Sequence, residues 1–275
     1  MAEPAPVPES AEGRLRADGL AVRYGDRVVI EDLDVVIPDG RMTVVVGPNA
    51  CGKSTLLRAL ARLVPAAAGT LTLDDRPLAD YGAKELARRL GLLPQSPTAP
   101  DGLTVADLVA RGRYPHQSLL RQWSPADRAA VDAAMAAADV TDLADRGVGE
   151  LSGGQRQRVW LAMVLAQETG LLLLDEPTTY LDIAHQVEVL ELARRLSVEG
   201  RTVVTVLHEL NLAFRYADHL VVMSRGAIVA QGDPTRIVTP ELIESVYDLP
   251  CRIIPDPLTG TPLVIPAVMT TRELR

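Results

Sequence analysis

Cysteine is scarce in this chain, and its scarcity excludes several chemistries. Only Cys51 and Cys251 occur among 275 residues, and neither belongs to a C-x-x-C pair. No thiolate zinc site or dithiol redox motif is therefore visible, and two cysteines so far apart suit a reducing compartment. Basic residues are in deficit too. The 28 Lys and Arg against 36 Asp and Glu leave a net charge of −8, which argues against a broad nucleic-acid footprint, since that requires a basic face. No uncharged apolar run approaches the ~18 residues of a membrane-crossing helix. The first residues, "MAEPAPVPESAEG", have neither the basic nor the apolar segment of a secretory signal. Their Pro, Ala and Glu content reads as a disordered tail over 1–13. No internal repeat is visible.

What remains is an ordinary globular composition, 47% hydrophobic and 23% charged, with enough length for a sizeable core. Short continuous apolar runs stand at 43–47, 90–94, 171–176, 202–208 and 220–223. Runs without alternation suit a parallel sheet covered on both faces. Helical patterns lie between them: Lys53–Leu63, Ala83–Leu90, Gln155–Gln167, Ile183–Leu196 and Leu210–Tyr216. The alternation predicts an α/β layer fold. Ahead of it, "LRADGLAVRYGDRVVIEDLDVVIPDG" alternates and turns like antiparallel strands. Residues 96–150 are Ala-rich and helical with no intervening strand, which predicts a helical insert. After Met223, "RGAIVAQGD" reads as a hairpin or strand pair and "PELIESVY" as a helix. The proline-punctuated end, "LPCRIIPDPLTGTPLVIP", reads as irregular or short-stranded.

One loop carries a legible chemistry. Gly47-Pro48-Asn49-Ala50-Cys51-Gly52-Lys53-Ser54, followed by Thr55, fits G-x-x-x-x-G-K-[ST] between a strand and a helix. Glycine lets backbone N–H groups turn inward around an anion, and the helix aims its positive end at the same point. Lys53 adds a full charge for the β- and γ-phosphates, and Ser54 a hydroxyl for Mg²⁺. The loop thus reads as a nucleoside triphosphate cradle. Cys51 within it reads as a packing residue with a perturbed thiol pKa.

A hydrolase also needs a metal carboxylate and a group to orient water. "LLLLDEP" offers Asp175 for Mg²⁺ and Glu176 for polarising the water, the two parted by strand alternation. Gln95 and His208 each follow an apolar run, as Gly47 and Asp175 do, and the ends of parallel strands converge on a ligand crevice. His116, His185 and His219 have no ligand spacing and read as surface or packing residues. Ser152-Gly153-Gly154-Gln155 opens a second helix with a glycine turn. It reads either as a second anion cradle or as a serine N-cap with a glycine turn. Two cradles with one metal-acid set imply two chains sharing two nucleotides head to tail, if each nucleotide needs both.

The ordered set of "GPNACGKST", Gln95, "LSGGQ", "LLLLDEP", "YLD" and His208 resembles the ATPase subunit of ABC transporters over residues 14–250. The resemblance implies an α/β P-loop core with a mostly parallel sheet, an N-terminal antiparallel β subdomain and an inserted helical subdomain at about 96–160. Residues 251–275 are left as an extension of unknown role. It implies Tyr24 stacking on adenine, the alternative being a strand aromatic in a core. Gln95 would join Ser54 and Asp175 on Mg²⁺, with Glu176, His208 and Gln95 serving catalysis. Ser152, Gly153, Gly154, Gln155 and Asp182 would face the partner's ATP. Ala50 departs from the family's common glycine and is tolerable if its φ is negative. The implied partners are a second copy of the ATPase, an integral membrane permease and, indirectly, an extracytoplasmic substrate-binding protein, with no nucleic acid. The implied place is peripheral, on the cytoplasmic face of the cell (inner) membrane. The insert beside Gln95 is the implied docking surface; its Tyr114 and Trp123, rare in a chain with 3% aromatics, either mark that surface or pack within it. "LLPQSPTAPDGLTVADLVARGRYPHQ" and "LDIAHQVEVLEL" look most like ferric-siderophore import ATPases. Haem, cobalamin or other metal-chelate import, or a soluble iron–sulfur assembly ATPase, are the alternatives.

Overall fold

A computed structural model describes residues 13–117, 123–179 and 181–267. Most of the expected tail, residues 1–12, and the tyrosine of "YLD" lie outside the described residues. In chain order come β1 (Leu15–Tyr24), β2 (Arg27–Ile37), β3 (Met42–Val46), α1 (Lys53–Leu60), β4 (Ala68–Leu73), β5 (Arg76–Pro77), α2 (Ala83–Ala87) and β6 (Leu90–Leu93). Then follow α3 (Val105–Ala110), α4 (Pro125–Ala137), α5 (Gly153–Leu165), β7 (Leu171–Asp175), α6 (Ile183–Val198), β8 (Thr202–Val206) and α7 (Leu210–Tyr216). The chain closes with β9 (His219–Ser224), β10 (Ala227–Gly232), α8 (Pro234–Ile237), α9 (Pro240–Tyr247), β11 (Cys251–Pro255) and β12 (Pro262–Pro266). The described chain forms two compact units, one of residues 13–39, 43–77 and 208–267, the other of 40–42, 78–117, 123–179 and 181–207.

In the first unit, β1 hydrogen-bonds antiparallel to both β2 and β4, giving the order β2-β1-β4-β5. Leu15, Ala17, Leu20 and Val22 turn one face of β1 inward. β3 behaves differently: all five of its residues are buried, as a strand covered on both faces must be. It pairs in parallel with β9, and β10 returns antiparallel on β9. The proline-rich end is ordered. β11 and β12 form an antiparallel hairpin that α7 holds by two polar contacts. The Asn211 side chain accepts from Val264 N (2.8 Å) and donates to Val264 O (3.4 Å), completing a backbone group as a neighbouring strand would. Arg215 pairs with the buried Asp256 at 2.5 Å, and the guanidinium, helped by the N–H of Leu258, holds that carboxyl below its usual range.

In the second unit, β6, β7 and β8 pair in parallel in the order β8-β7-β6. β7 and β8 are buried at every residue. Among the described residues no strand lies between Leu93 and Leu171, and α3, α4 and α5 pack on one another there. Thr104 and Ser124 cap α3 and α4 with reciprocal side-chain bonds, which explains two abrupt starts. The buried Arg113 staples this layer. It donates to Asp127 (2.9 Å), to the Ala166 carbonyl (2.7 Å) and to Glu168 (2.6 Å). Asp127, bonded by Ser124 and then by Arg113, stays below the usual carboxylate range.

The expected helices Lys53–Leu63 and Ala83–Leu90 end earlier, at Leu60 and Ala87. Arg62 turns left-handed after the first, and the apolar residue closing the second, Leu90, belongs to β6. α5 starts at Gly153 rather than Gln155, because Ser152 caps it.

Candidate nucleotide site

The loop 47–54 belongs to the first unit and is held by its backbone. Gly47 has φ 154°, and any side chain there would collide with the Met223 carbonyl oxygen. Gly52 has φ 110° and serves as N-cap of α1 without a side-chain bond. Gly52 has no side chain with which to cap α1, and the first turn holds no acidic residue, as an anion-binding helix start needs. The Cys51 carbonyl accepts from Gly226 N at 2.9 Å, fastening the loop to the β9–β10 turn. Lys53 is buried, and its ammonium donates to the carbonyls of Gly47 (2.8 Å) and Pro48 (2.9 Å). The loop thus closes around one fixed positive charge.

Two expectations about this loop need correction or refinement. Ala50 does not have a negative φ; it sits at +61°, in the left-handed region, where a β-carbon costs about 1–2 kcal/mol. The turn imposes this on alanine where glycine would be free. Cys51 is perturbed, and the sign is upward: burial raises its thiol, and the ammonium of Lys53 offsets only part. A thiol held protonated is a packing group, not a nucleophile. Pro48, Ser54 and Thr55 are half-buried, while Asn49 and Ala50 face solvent. Tyr24, the last residue of β1, is 46% exposed, so it is a surface aromatic and not a core one. His208 is exposed two residues before α7.

The acids lie in the second unit. Asp175 ends β7 and is buried. Glu176 is not its alternate on a strand. Glu176 has left the strand with φ +53°, so a left-handed backbone, and not strand alternation, parts the two carboxylates. A non-glycine residue there stores strain, and such strain collects at working sites. The Glu176 Oε2 accepts from Gln95 Nε2 at 2.5 Å and from Thr179 Oγ1 at 3.1 Å. Gln95 and Glu176 are thus brought together as the sequence implied. Thr179 was missed; its only signal was a hydroxyl three residues on in a turn.

Ser152 and Gln155 complete a capping box: Ser152 Oγ accepts from Gln155 N at 3.3 Å, and Ser152 N donates to Gln155 Oε1 at 3.1 Å. The N-cap reading of this turn is therefore real, with Ser152 and Gly153 exposed at the tip of α5. Asp182 caps α6 by accepting from His185 N at 3.0 Å. Its carboxyl is held down first by that N–H and then by the His185 ring. Among the described residues, no group of three His, Cys, Asp or Glu could hold a metal. Ser54, Gln95 and Asp175, the residues expected to hold Mg²⁺, each carry a side-chain oxygen, the donor type that ion takes.

The "ABC transporter" family model matches residues 30–179, more than half of the chain. The chain belongs to the ABC transporter family. It is similar to the ferric enterobactin transport ATP-binding protein of Escherichia coli (strain K12), 57% identical over 92% of this chain and 94% of that protein. It is also similar to a hemin import ATP-binding protein of Rhodococcus jostii (strain RHA1), 44% identical over 96% of this chain and 90% of that one. Among solved structures, a metal-chelate type ABC transporter in an inward-facing conformation superposes with a TM-score of 0.80 and 28% identity, covering 93% of this chain and 97% of that chain. The cassette is accordingly an ATPase with the α/β fold of its family. No described helix is long and apolar enough to cross a membrane.

Proposed function

We propose that this cassette hydrolyses MgATP to power import of a ferric siderophore through a separate membrane permease. The observation that carries the cargo is that four siderophore-system ATPases match at 57%, 52%, 50% and 49% identity, against 44% for a hemin one and 43% for an iron(3+)-hydroxamate one. That ordering, over nearly the whole chain, favours the siderophore branch. The chemistry is supported by the closed, lysine-centred loop and by the strained Glu176.

In this reading Lys53 and the first N–H groups of α1 hold the β- and γ-phosphates, and Tyr24 stacks on the adenine. Ser54, Gln95 and Asp175 would hold Mg²⁺, which when bound would supply positive charge beside the phosphate oxygens. Glu176 orients the attacking water and takes its proton, while His208 donates to the γ-phosphate. Gln95 and Thr179 decide which oxygen of Glu176 is available. Because Gln95 heads the segment entering the helices, whatever moves that segment changes the base's partners.

Two copies act together, head to tail, with Ser152, Gly153, Gly154, Gln155 and Asp182 of each facing the other's ATP. Residues 14–250 form the ATPase domain and about 96–160 its helical subdomain, which docks the permease at the cytoplasmic face of the membrane. Two features support that docking surface. Tyr114 and Trp123 are 55% and 44% exposed in a chain poor in aromatics. A cleft of about 430 Å³ is walled by residues 97–103, after Gln95, and 147–150, before Ser152, with Arg156 and Trp160 also lining it. An occupant of that cleft would touch both nucleotide-reading loops at once. A substrate-binding protein outside the cell would deliver the cargo to the permease.

The test is labelled uptake in a strain lacking the chain, complemented by wild type or Glu176→Gln, across hydroxamate and catecholate ferric siderophores, haem and cobalamin. Loss of siderophore uptake restored only by wild type is the expected result. Loss confined to haem or cobalamin would move the cargo to that branch, and unchanged uptake throughout would reject import of these chelates.

A further inference from the structure

His185 has no metal-ligand spacing and follows the strand-end acids by several residues, yet it joins two of the elements read as facing the partner's nucleotide. It sits in the first turn of α6, three residues after the N-cap Asp182. One oxygen of Asp182 takes both the His185 backbone N–H (3.0 Å) and the ring Nδ1 (2.7 Å). Nδ1 facing a carboxylate carries the proton, so the ring is oriented and not free to spin. Its other edge lies on α5. A β-carbon built on Gly154 would stand 3.0 Å from Cδ2, 3.2 Å from Cγ and 3.4 Å from Nε2 of His185. Gly154 has no left-handed φ to explain its glycine; the space belongs to the imidazole. The ring thus fills the gap between the first turns of α5 and α6.

We propose that His185 is a positioning residue that clamps Asp182 to the Gly154 turn, so that these two elements meet a second copy's ATP as one preset edge. The proposal rests on the two-copy reading above. Its physical logic is preorganisation. Asp182 is 66% exposed at its side chain and Ser152 and Gly153 stand at an exposed helix tip, so without the ring each would have to be ordered separately when the copies close, at an entropic cost. Asparagine at 185 keeps an amide donor near the position of Nδ1. Glutamine places its amide nearer Nε2. The two substitutions therefore separate clamping through Asp182 from direct contact by Nε2.

The experiment uses the full chain carrying Glu176→Gln, so that ATP is bound and not turned over, and reads two quantities. One is MgATP-dependent dimerisation by sedimentation; the other is fluorescent-ATP affinity of the dilute monomer. We expect His185→Asn to dimerise within about threefold of its parent, and His185→Ala and His185→Gln to need at least about tenfold more protein. Monomer ATP affinity should stay unchanged in all three, and His185→Ala should add little further loss to Gly154→Ala, because the methyl at 154 already pushes the ring out of the same gap. Parental dimerisation by His185→Ala would overturn the clamp. Rescue by His185→Gln and not His185→Asn would overturn it in favour of direct contact. A parent that stays monomeric with saturating MgATP would reject the two-copy reading itself, and the clamp with it.

Discussion

Two helices of this cassette open on glycine turns, α1 and α5, and they are built for different work. At the α1 start Cys51, Gly52 and Lys53 are buried, the glycine N-cap offers no capping side chain, and the loop encloses the ammonium of Lys53. The α5 turn is exposed, is already capped by its own Ser152 and Gln155, and shows no enclosed charge. A helix start that leaves its donors uncapped beside a cation suits binding an anion by itself. One whose donors are partly satisfied suits adding contacts to an anion held elsewhere. The difference teaches that a glycine turn at a helix start does not by itself define a phosphate site; the spent or unspent state of its donors does.

The largest effect should come from Glu176, the acid proposed as the base. Glu176→Gln keeps the shape and removes the base, so steady-state ATP turnover should fall about 10²–10⁴-fold while ATP still binds. Retained turnover would take Glu176 out of the reaction. Next, Lys53→Ala should weaken ATP binding to the monomer about 10–100-fold, the worth of a charge-assisted phosphate contact. Ser152→Ala should leave monomer affinity alone and cost about 1 kcal/mol of stability through the lost cap. Equal losses of affinity in the two variants would erase the contrast between the turns.

A third test asks whether the unit carrying the α1 turn is braced electrostatically. Asp256 is depressed by Arg215, and a depressed carboxylate stabilises above its unfolded pKa of about 3.9 and loses that contribution as pH falls through its folded value. The gap in melting temperature between wild type and Asp256→Asn should therefore be widest near neutrality and close below about pH 4. A gap independent of pH would mean that Asp256 acts through its turn hydrogen bonds to Leu258 and Thr259 and not through charge. The smallest effect concerns the strained alanine. Ala50→Gly should raise stability by about 1 kcal/mol, less glycine's larger entropy loss, with ATP affinity kept. A drop in melting temperature would show that the entropy outweighs the strain.

Much of the first turn is legible in the sequence, because its chemistry is local. Spacing alone puts Lys53 and Ser54 at a helix start behind glycines, and the backbone there does what G-x-x-x-x-G-K-[ST] requires. The core strands were legible for the same reason: β3, β7 and β8 are unbroken apolar runs, and only a doubly covered strand tolerates them. Less legible were features whose cause sits far along the chain. Alanine itself gives no sign of φ +61° at position 50; the hint is the glycine common there in the family. The strand rule placed Asp175 and Glu176 on opposite faces, and the structure separates them by a left-handed backbone instead. Thr179 has no motif of its own and matters only because the turn returns it to Glu176.

The end of the chain divides the two sources of information most cleanly. Its prolines and short apolar pairs fixed nothing beyond irregular or short strands, since a hairpin needs a surface to lie on. Asn211 and Arg215 of α7 supply that surface from 53 and 41 residues upstream of their partners, Val264 and Asp256. His185 is the same lesson at the site: in sequence a solitary histidine, in the fold a ring wedged between two helix starts. The strand-loop-helix order around Lys53 and the buried parallel strands could be read from the sequence, because each depends on neighbours within a turn or a strand. Only the tertiary structure decided which donors are already spent, which backbones are strained and which distant side chains meet, because those depend on what packs against them.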